Sequence, residues 1–517
     1  MPENVIGREC KHVIYTPGRD GQHDMLTVKE YEYLDDGTRR SNMRRIFDYQ
    51  RPFWITRPGF RNHQDKKESE ALDRLQVYHT KQIFLTQSIG RALGRPGTRG
   101  SLKMACRSPY VYGADISSPA LVKRAYMEKY PTYSTENLIA VVDIESDVVD
   151  GTNEPIMVSI TFKNRAFLAV TRKFLAGVSN PEAKIQAAFE QYLGKYKSER
   201  NIELEVALVA NAGDAAARVI EHAHAWRPDF MVFWNIDYDI PSMNAHLERY
   251  GYDLAQVWSD PATPPEFRYC RYIQGPSQKV TASGRVQPLA PAERWHWLDT
   301  PASFIAIDAM CVYLKLRIAG GKEPSYALDR ILEKHLGIRK LKFEQANEYT
   351  GLDWHQFMQR NYKVEYCIYN LFDCISVELL DEATKDLALL ISSQCGHSEY
   401  RIFNSQPKRT CDDLHFVYLK HGEVIATASD QMEDENDVKY GISLKGWIIT
   451  LESHLLHNSG QKLLQELPDL ATNIRTDTAD ERLRRTCLRQ SPSREQSRGS
   501  SSLTAGNPLE LLHHSVV

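Results

Sequence analysis

The chain has 517 residues, 42% of them hydrophobic and 25% charged, with a net charge of −3 at pH 7. This composition is typical of globular domains, provides enough chain for two or three of them, and excludes a uniformly basic nucleic-acid coat. The nine cysteines show no CxxC spacing, no apolar run reaches the length of a membrane span, and the N-terminus does not resemble a signal peptide, so we expect a soluble, cytoplasmic protein with reduced thiols.

Residues 1–135 predict a mixed α+β domain. Short strand-like pieces at 12–15 and 25–28 alternate with turns, and residues 68–94 show helical periodicity. The basic, glycine-rich segment 90–103 either follows a phosphate backbone or is a solvated surface loop, and we favour the loop. No catalytic constellation occurs in this region.

From residue 136 onward, strands and helices alternate regularly. The apolar run 137–142 predicts a buried strand that leads into Asp143 and Glu145, whose side chains should point to one face. Two acids at this position are either a solvated strand end or oxygen ligands for a hard divalent cation. The elements predicted next are strands at 155–162 and 166–170 in an antiparallel meander, a helix at 181–198, a strand at 202–209 and a helix at 212–225.

A second buried strand, at 229–234, leads into two more acids. Asp237 and Asp239 face the same way if the strand persists, and we favour Asp239 for a shared site because Pro241 marks the turn into a helix at 242–250. A helix N-cap explains Asp239 almost equally well. Participation of Asp237 in the same site stays open.

Residues 257–300 are rich in turns and predict a hairpin around residues 283–284. Trp295 and Trp297 look exposed; they either stack on unpaired bases or, as is commoner, close the hairpin over the domain. The strand at 304–308 ends at Asp308, which we assign to structure. A helix at 325–336 then ends at Gly337.

The last informative element is a predicted helix at 362–393. It carries Tyr369 and Asp373, four residues apart and therefore on one face. A carboxylate that holds a cation beside a phenol that orients water suits metal-assisted hydrolysis. Taken alone, the pair is better explained by an ordinary amphipathic helix.

Three motifs occur in order within one domain: Asp143-Ile-Glu145, Asn235 followed by Tyr238-Asp239, and Tyr369-Asn-Leu-Phe-Asp373. They match the Asp-x-Glu, Asn-aromatic-Asp and Tyr-x-x-x-Asp exonuclease motifs, with a short spacing in the second. The helix at 325–336 also looks like one that lies between the second and third motifs. In these features the chain resembles the proofreading domains of family B DNA polymerases, especially those of large tailed phages.

The resemblance implies an α/β, RNase H-like (DEDDy) 3′–5′ exonuclease domain at 136–395, preceded by the N-terminal domain of such a polymerase at 1–135. It also implies a site for two Mg²⁺ (or Mn²⁺) ions roughly 4 Å apart. The implied metal ligands and catalytic acids are Asp143, Glu145, Asp239 and Asp373, and Tyr369 would position the attacking water. The implied DNA contacts are Asn235 and Tyr238, with a single-stranded 3′ end or a primer–template as the partner.

The sequence beyond Asp373 departs from the family because no palm-domain motif occurs. We interpret residues 396–478 as a connector toward an absent palm and 479–517, rich in Arg, Ser and Gln, as a disordered tail. The palm is then either on a separate chain or lost by truncation or a frameshift, and this chain alone should not polymerise DNA. The alternative function is a noncatalytic DNA-binding or assembly half of a split replicative polymerase.

Overall fold

The computed structural model describes residues 4–64, 66–95, 101–281 and 284–428. None of the helices in these ranges has the length and apolar character needed to span a bilayer. The predicted tail, the connector beyond residue 428 and part of the basic segment at 90–103 lie outside the described residues. The predicted domain boundaries stay predictions.

The described residues form strands and helices in chain order. The strands are β1 (Val5–Pro17), β2 (Asp24–Leu34), β3 (Arg39–Phe47), β4 (Arg51–Thr56), β5 (Ser69–Ala71), β6 (Leu75–Thr80), β7 (Val111–Tyr112), β8 (Ile139–Ser146), β9 (Pro155–Phe162), β10 (Arg165–Thr171), β11 (Glu203–Val209), β12 (Phe230–Phe233), β13 (Arg271–Ile273), β14 (Gln278–Val280), β15 (Val286–Pro288), β16 (Trp297–Asp299), β17 (Ile305–Asp308) and β18 (Glu423–Ile425). The α-helices are α1 (Leu85–Ala92), α2 (Leu102–Ala105), α3 (Ser118–Lys129), α4 (Pro181–Arg200), α5 (Ala212–Trp226), α6 (Ile236–Arg249), α7 (Leu254–Trp258), α8 (Ala309–Arg317), α9 (Leu328–Leu336), α10 (Gly351–Asn361), α11 (Lys363–Thr384), α12 (Ile391–Cys395) and α13 (Gln406–Lys420).

The N-terminal region contains small antiparallel sheets, ordered β1-β2-β3 and β6-β4-β7. The helical periodicity expected over 68–94 is wrong for most of that range, because β5, β6 and two short 3-10 turns precede the α-helix α1. Strand β6 pairs with β4 along its whole length. Pairing with a strand that is distant in sequence overrides a weak local pattern of apolar residues. Strand β18 pairs with β5, so the start of the predicted connector packs on this region.

The central sheet is mixed, with the strand order β11-β10-β9-β8-β12-β17. Strand β9 is antiparallel to both β8 and β10, as the predicted meander requires, and β12 is parallel to β8 and β17. Helices α5 and α6 cover one face of the sheet, and α11 covers the other. The predicted α/β class is therefore confirmed.

A buried ion pair joins the N-terminal sheet to the central sheet. The Nζ of Lys29, on β2, lies 3.2 Å from Oδ1 of Asp229, and the two side chains are 0% and 2% exposed. The other oxygen of Asp229 accepts from the backbone N–H of Leu138 at 2.8 Å, directly before β8. The start of β8, which leads to the acidic motif, is therefore held against a charged partner from the N-terminal sheet.

The insert between α7 and β17 contains the predicted hairpin, formed by β14 and β15. The expectation that Trp295 and Trp297 are exposed is wrong, since they are 7% and 8% exposed. The indole N–H of Trp295 donates to the backbone oxygen of Arg401 at 3.0 Å, and its ring packs on Phe403. These rings close the insert onto the domain, because a buried indole needs both apolar neighbours and an acceptor.

Candidate metal centre

Strand β8 brings Asp143 and Glu145 to the face of the sheet that α11 covers. Val141, two residues before Asp143, belongs to the apolar cluster that includes Cys374 and Val377 of α11. Side chains on a strand alternate between its two faces, so both acids share the direction of Val141. The predicted common face is confirmed.

Helix α11 places Tyr369 and Asp373 opposite these acids. The helix is buried from Tyr366 through Glu378, since it packs against β8, β9 and α4. One carboxylate oxygen each from Asp143, Glu145 and Asp373 lies within 4.8 Å of the other two. The fold thus unites three acids that lie far apart in the sequence, and this group could hold a metal ion.

Asp239 is not a member of this close group, and its predicted position at a strand exit is wrong. It lies in the first turn of α6, a helix that begins at Ile236 and continues through Pro241. The helix starts early because Asp308 accepts a hydrogen bond from the backbone N–H of Ile236 at 3.0 Å. Asp308 also caps α8 through the N–H of Cys311 at 2.7 Å, in agreement with its assignment to structure.

Asp239 is nevertheless close enough to Asp143 and Glu145 to interact with their charges. Burial, then the charges of Asp308 and Glu145, raises the pKa of Asp239 well above its ordinary value. Asp239 in turn contributes to the raised pKa of Asp143. Burial also raises the pKa of Asp308, to about 7. The first turn of α6 therefore contributes a buried acid whose charge acts on two members of the group.

The structure decides the open question about Asp237. Its Oδ1 accepts from the phenol of Tyr272 at 3.0 Å and lies 3.2 Å from Nδ1 of His296, while Oδ2 lies 3.9 Å from Arg294. All three partners belong to the insert between α7 and β17. Asp237 therefore anchors the insert to α6 rather than joining the acidic group.

The residues expected to contact DNA lie at the start of α6. Asn235 is exposed and occupies the N-cap position without a side-chain capping bond. Tyr238 is 47% exposed, and its phenol donates to Oγ of Ser146 at 2.9 Å. This contact joins the second motif to the end of β8, so an exposed aromatic ring stands beside the acids.

Sequence reasoning missed four polar side chains that contact the three clustered acids: Lys340, Tyr366, Asn370 and His355. The Nζ of Lys340 lies 2.5 Å from Oδ2 of Asp373 and 3.1 Å from the phenol of Tyr369. The other contacts are Asn370 Nδ2 to Asp143 Oδ2 at 2.7 Å, the phenol of Tyr366 to Glu145 Oε2, and His355 Nδ1 to the same oxygen of Glu145 at 3.7 Å. Helical spacing from Tyr369 and Asp373 could have indicated Tyr366. Lys340 lies outside any helix or strand, so no periodicity indicates it.

The electrostatics of the group show a marked excess of negative charge. Burial, followed by repulsion from Asp373, Glu145 and Asp239, raises the pKa of Asp143 well above its ordinary value. Burial raises the pKa of Glu145 to about 7, and burial raises that of Asp373 although Lys340 opposes it. The pKa of Lys340 is raised despite its burial, because Asp373 attracts its charge. The charge of Lys340 therefore opposes only part of the negative charge that Asp143, Glu145 and Asp373 bring together.

These residues fit a divalent cation. Carboxylate oxygens are the ligands that hard cations prefer, and like charges packed together stay ionised only when a cation neutralises them. The Oδ1 of Asp373 is buried and has no hydrogen-bond partner among the described residues, which leaves a lone pair for an ion. No protein-family model matches this chain. No curated protein sequence matches it significantly either. The geometry of the site therefore carries the functional argument.

Proposed function

We propose that this chain is a metal-dependent 3′–5′ DNA exonuclease of the proofreading type that belongs to family B DNA polymerases. The observation that carries this proposal is the convergence of Asp143, Glu145 and Asp373 within 4.8 Å, with Tyr369 one turn before Asp373. The first and third motifs noted in the sequence supply these residues, and the second contacts the end of β8 through the hydrogen bond from Tyr238 to Ser146. An α/β domain with a mixed sheet covered by helices on both faces is compatible with an RNase H-like fold.

Two Mg²⁺ or Mn²⁺ ions are the proposed cofactors. The proposed ligands of these ions are Asp143, Glu145 and Asp373. The fourth proposed ligand is Asp239, in the first turn of α6. Bound in this way, the ions would supply an activated water at neutral pH and stabilise charge on the leaving 3′ oxygen. The excess of buried negative charge supports a dication rather than a neutral ligand.

Tyr369 is proposed to donate a hydrogen bond at the reacting atoms, and Lys340 is proposed to orient Tyr369. Burial and the charge of Asp373 raise the pKa of Tyr369 well above its ordinary value, so the phenol keeps its proton and can donate to the attacking water or to a phosphate oxygen. Lys340 lies 3.1 Å from that phenol and orients it. Its positive charge also favours an anionic transition state in a buried site.

DNA is the proposed substrate, and the start of α6 is the proposed contact surface. The exposed ring of Tyr238 can stack on an unpaired base without reading its sequence, and the exposed Asn235 offers an amide to the backbone or a base. A 3′ end must be frayed to reach buried carboxylates, so single-stranded DNA should be the better substrate. Nucleotide incorporation is not proposed for this chain alone, and a separate chain that carries the palm is its proposed partner.

The decisive experiment is digestion of a 3′-labelled single-stranded oligonucleotide by the purified full-length chain. We expect stepwise shortening with Mg²⁺ or Mn²⁺, none in EDTA, and none with Asp143→Ala. The matched control is Asp150→Ala, which removes an exposed carboxylate that pairs with the exposed Lys173. Thermal unfolding of both variants checks that they are folded.

The same experiment separates the two functions. Folded wild-type protein that binds the oligonucleotide but leaves it intact in both metals would contradict the exonuclease. That result would support the noncatalytic half of a split polymerase instead.

A further inference from the structure

A second phenol in helix α11 contacts a different carboxylate from the one beside Tyr369. Tyr366 lies one turn earlier, and its ring is parallel to that of Tyr369 within 4°, with centroids 5.9 Å apart. Its hydroxyl donates to Oε2 of Glu145, whereas the hydroxyl of Tyr369 meets Lys340. Tyr366 is 0% exposed, so substrate cannot reach it. A role for Tyr366 must therefore act through Glu145.

The hydroxyl of Tyr366 is oriented by a buried amide. The Oε1 of Gln359 accepts from the backbone N–H of Val148 at 3.1 Å, which turns its amide nitrogen to the other side. That nitrogen donates to the backbone oxygen of Ser146 at 2.8 Å and to the phenol oxygen of Tyr366 at 3.3 Å. Because an amide nitrogen only donates, the phenol oxygen must accept this bond and its proton must point elsewhere.

Two groups compete for the phenol proton, and their chemistry decides between them. When Glu145 is ionised, as a metal ligand must be, its carboxylate only accepts, so its contact with Tyr366 requires the proton of the phenol. The Nδ1 of His355, 2.8 Å from the same phenol oxygen, must then carry its own hydrogen and donate it. The hydroxyl thus receives from Gln359 and His355 and donates to Glu145 alone.

We propose that Tyr366 is a positioning residue for the metal: it holds Oε2 of Glu145 so that the carboxylate presents its other oxygen to an ion shared with Asp143 and Asp373. This inference rests on the proposed function. Hydrogen-bond partners of a ligating carboxylate orient it, and their removal typically costs roughly 10- to 100-fold in metal affinity or activity. The two parallel phenols would therefore have separate tasks, with Tyr366 serving the metal and Tyr369 serving the reacting water.

The test measures Mn²⁺ binding directly, by the loss of the free-ion signal in electron paramagnetic resonance, on full-length wild type, Tyr366→Phe and Tyr369→Phe. We expect Tyr366→Phe to lower Mn²⁺ affinity about 10-fold or more and to raise the Mg²⁺ concentration needed for half-maximal cleavage by a similar factor. Tyr369→Phe should keep the affinity for Mn²⁺ and lower the cleavage rate at saturating metal. The matched control is Tyr362→Phe, which removes a phenol one turn before Tyr366.

A second variant keeps the proposal testable if Tyr366→Phe does not fold. Gln359→Met keeps the phenol but removes the donor that orients it, and it should weaken Mn²⁺ binding in the same direction. Wild-type Mn²⁺ affinity in Tyr366→Phe, or in Gln359→Met if Tyr366→Phe does not fold, would overturn the positioning role while leaving the exonuclease intact. Absence of both Mn²⁺ binding and cleavage in the wild type would overturn the exonuclease, and the positioning role with it.

Discussion

Asn370 donates a hydrogen bond of 2.7 Å from its Nδ2 to Oδ2 of Asp143 and so joins helix α11 to strand β8 at the acidic end of the strand. Asn370 is fully buried, and its Oδ1 has no hydrogen-bond partner among the described residues. Asp373 lies one turn further along the same helix. This single bond therefore helps to set the spacing between two of the three acids.

Replacement of Asn370 by Ala should weaken both the fold and the site. The half-buried Asp143 would lose its amide donor, and an unpaired buried polar group typically costs about 1–3 kcal/mol. We expect a lower free energy of unfolding in urea and a cleavage rate reduced roughly 10- to 100-fold. Asn361→Ala is the matched control, because that exposed amide donates to the backbone oxygen of Phe357 within α10, away from the acids. Equal effects of the two variants would contradict the assigned contact.

Replacement of Asp143 by Asn should stabilise the metal-free protein. Burial and three neighbouring acids raise the pKa of Asp143, so its ionised form is unfavourable without a cation. In EDTA we expect the midpoint of thermal unfolding to rise by at least about 2 °C, the shift that about 1 kcal/mol produces in a large domain. Mn²⁺ should raise the midpoint of the wild type and leave that of the variant unchanged. The control Asp150→Asn, at an exposed position, should leave both the midpoint in EDTA and its rise with Mn²⁺ as they are in the wild type.

The raised pKa of Glu145 should be measurable in the pH dependence of the free energy of unfolding. Burial raises its pKa from 4.5 to about 7, so its favourable contribution to folding is complete below about pH 4.5 and is lost as the pH rises through about 7. Relative to wild type, Glu145→Gln should therefore gain stability across this window in EDTA, by on the order of 3 kcal/mol. Urea unfolding at pH 4.5 and at pH 8 measures the difference in free energy of unfolding between Glu145→Gln and the wild type. A difference that stays constant between the two pH values would refute the assignment.

Lys340→Met should impair stability and catalysis together. The substitution removes the cation that lies 2.5 Å from the buried Asp373 and the donor that holds Tyr369. Loss of one partner of a buried ion pair typically costs about 3–5 kcal/mol, reduced here because Lys340 is partly exposed. Lys342→Met, two residues later and exposed, is the control. Stability of Lys340→Met should recover more with Mn²⁺ than that of wild type, since the ion then replaces the missing charge.

Local patterns were sufficient to predict much of the central sheet and the acids on it. Alternation along a strand placed Asp143 and Glu145 on one face, and helical spacing placed Tyr369 beside Asp373, because both periodicities depend only on the neighbours of a residue along the chain. The antiparallel meander of β8, β9 and β10 was predictable for the same reason. The helix predicted over residues 68–94 from a longer and weaker pattern was wrong, because β6 in that range pairs with β4.

The remaining features depend on contacts between residues that are distant in the sequence. Asp308 starts helix α6 from a neighbouring strand and thereby moves Asp239 from a strand exit into a helix. Lys340 reaches Asp373 from a segment without regular structure. Burial of Trp295 requires the backbone of Arg401 as its acceptor. Hydrogen bonds and ion pairs of this kind do not recur with a fixed period along the chain. Composition and residue spacing therefore cannot predict them, and only the tertiary structure determines them.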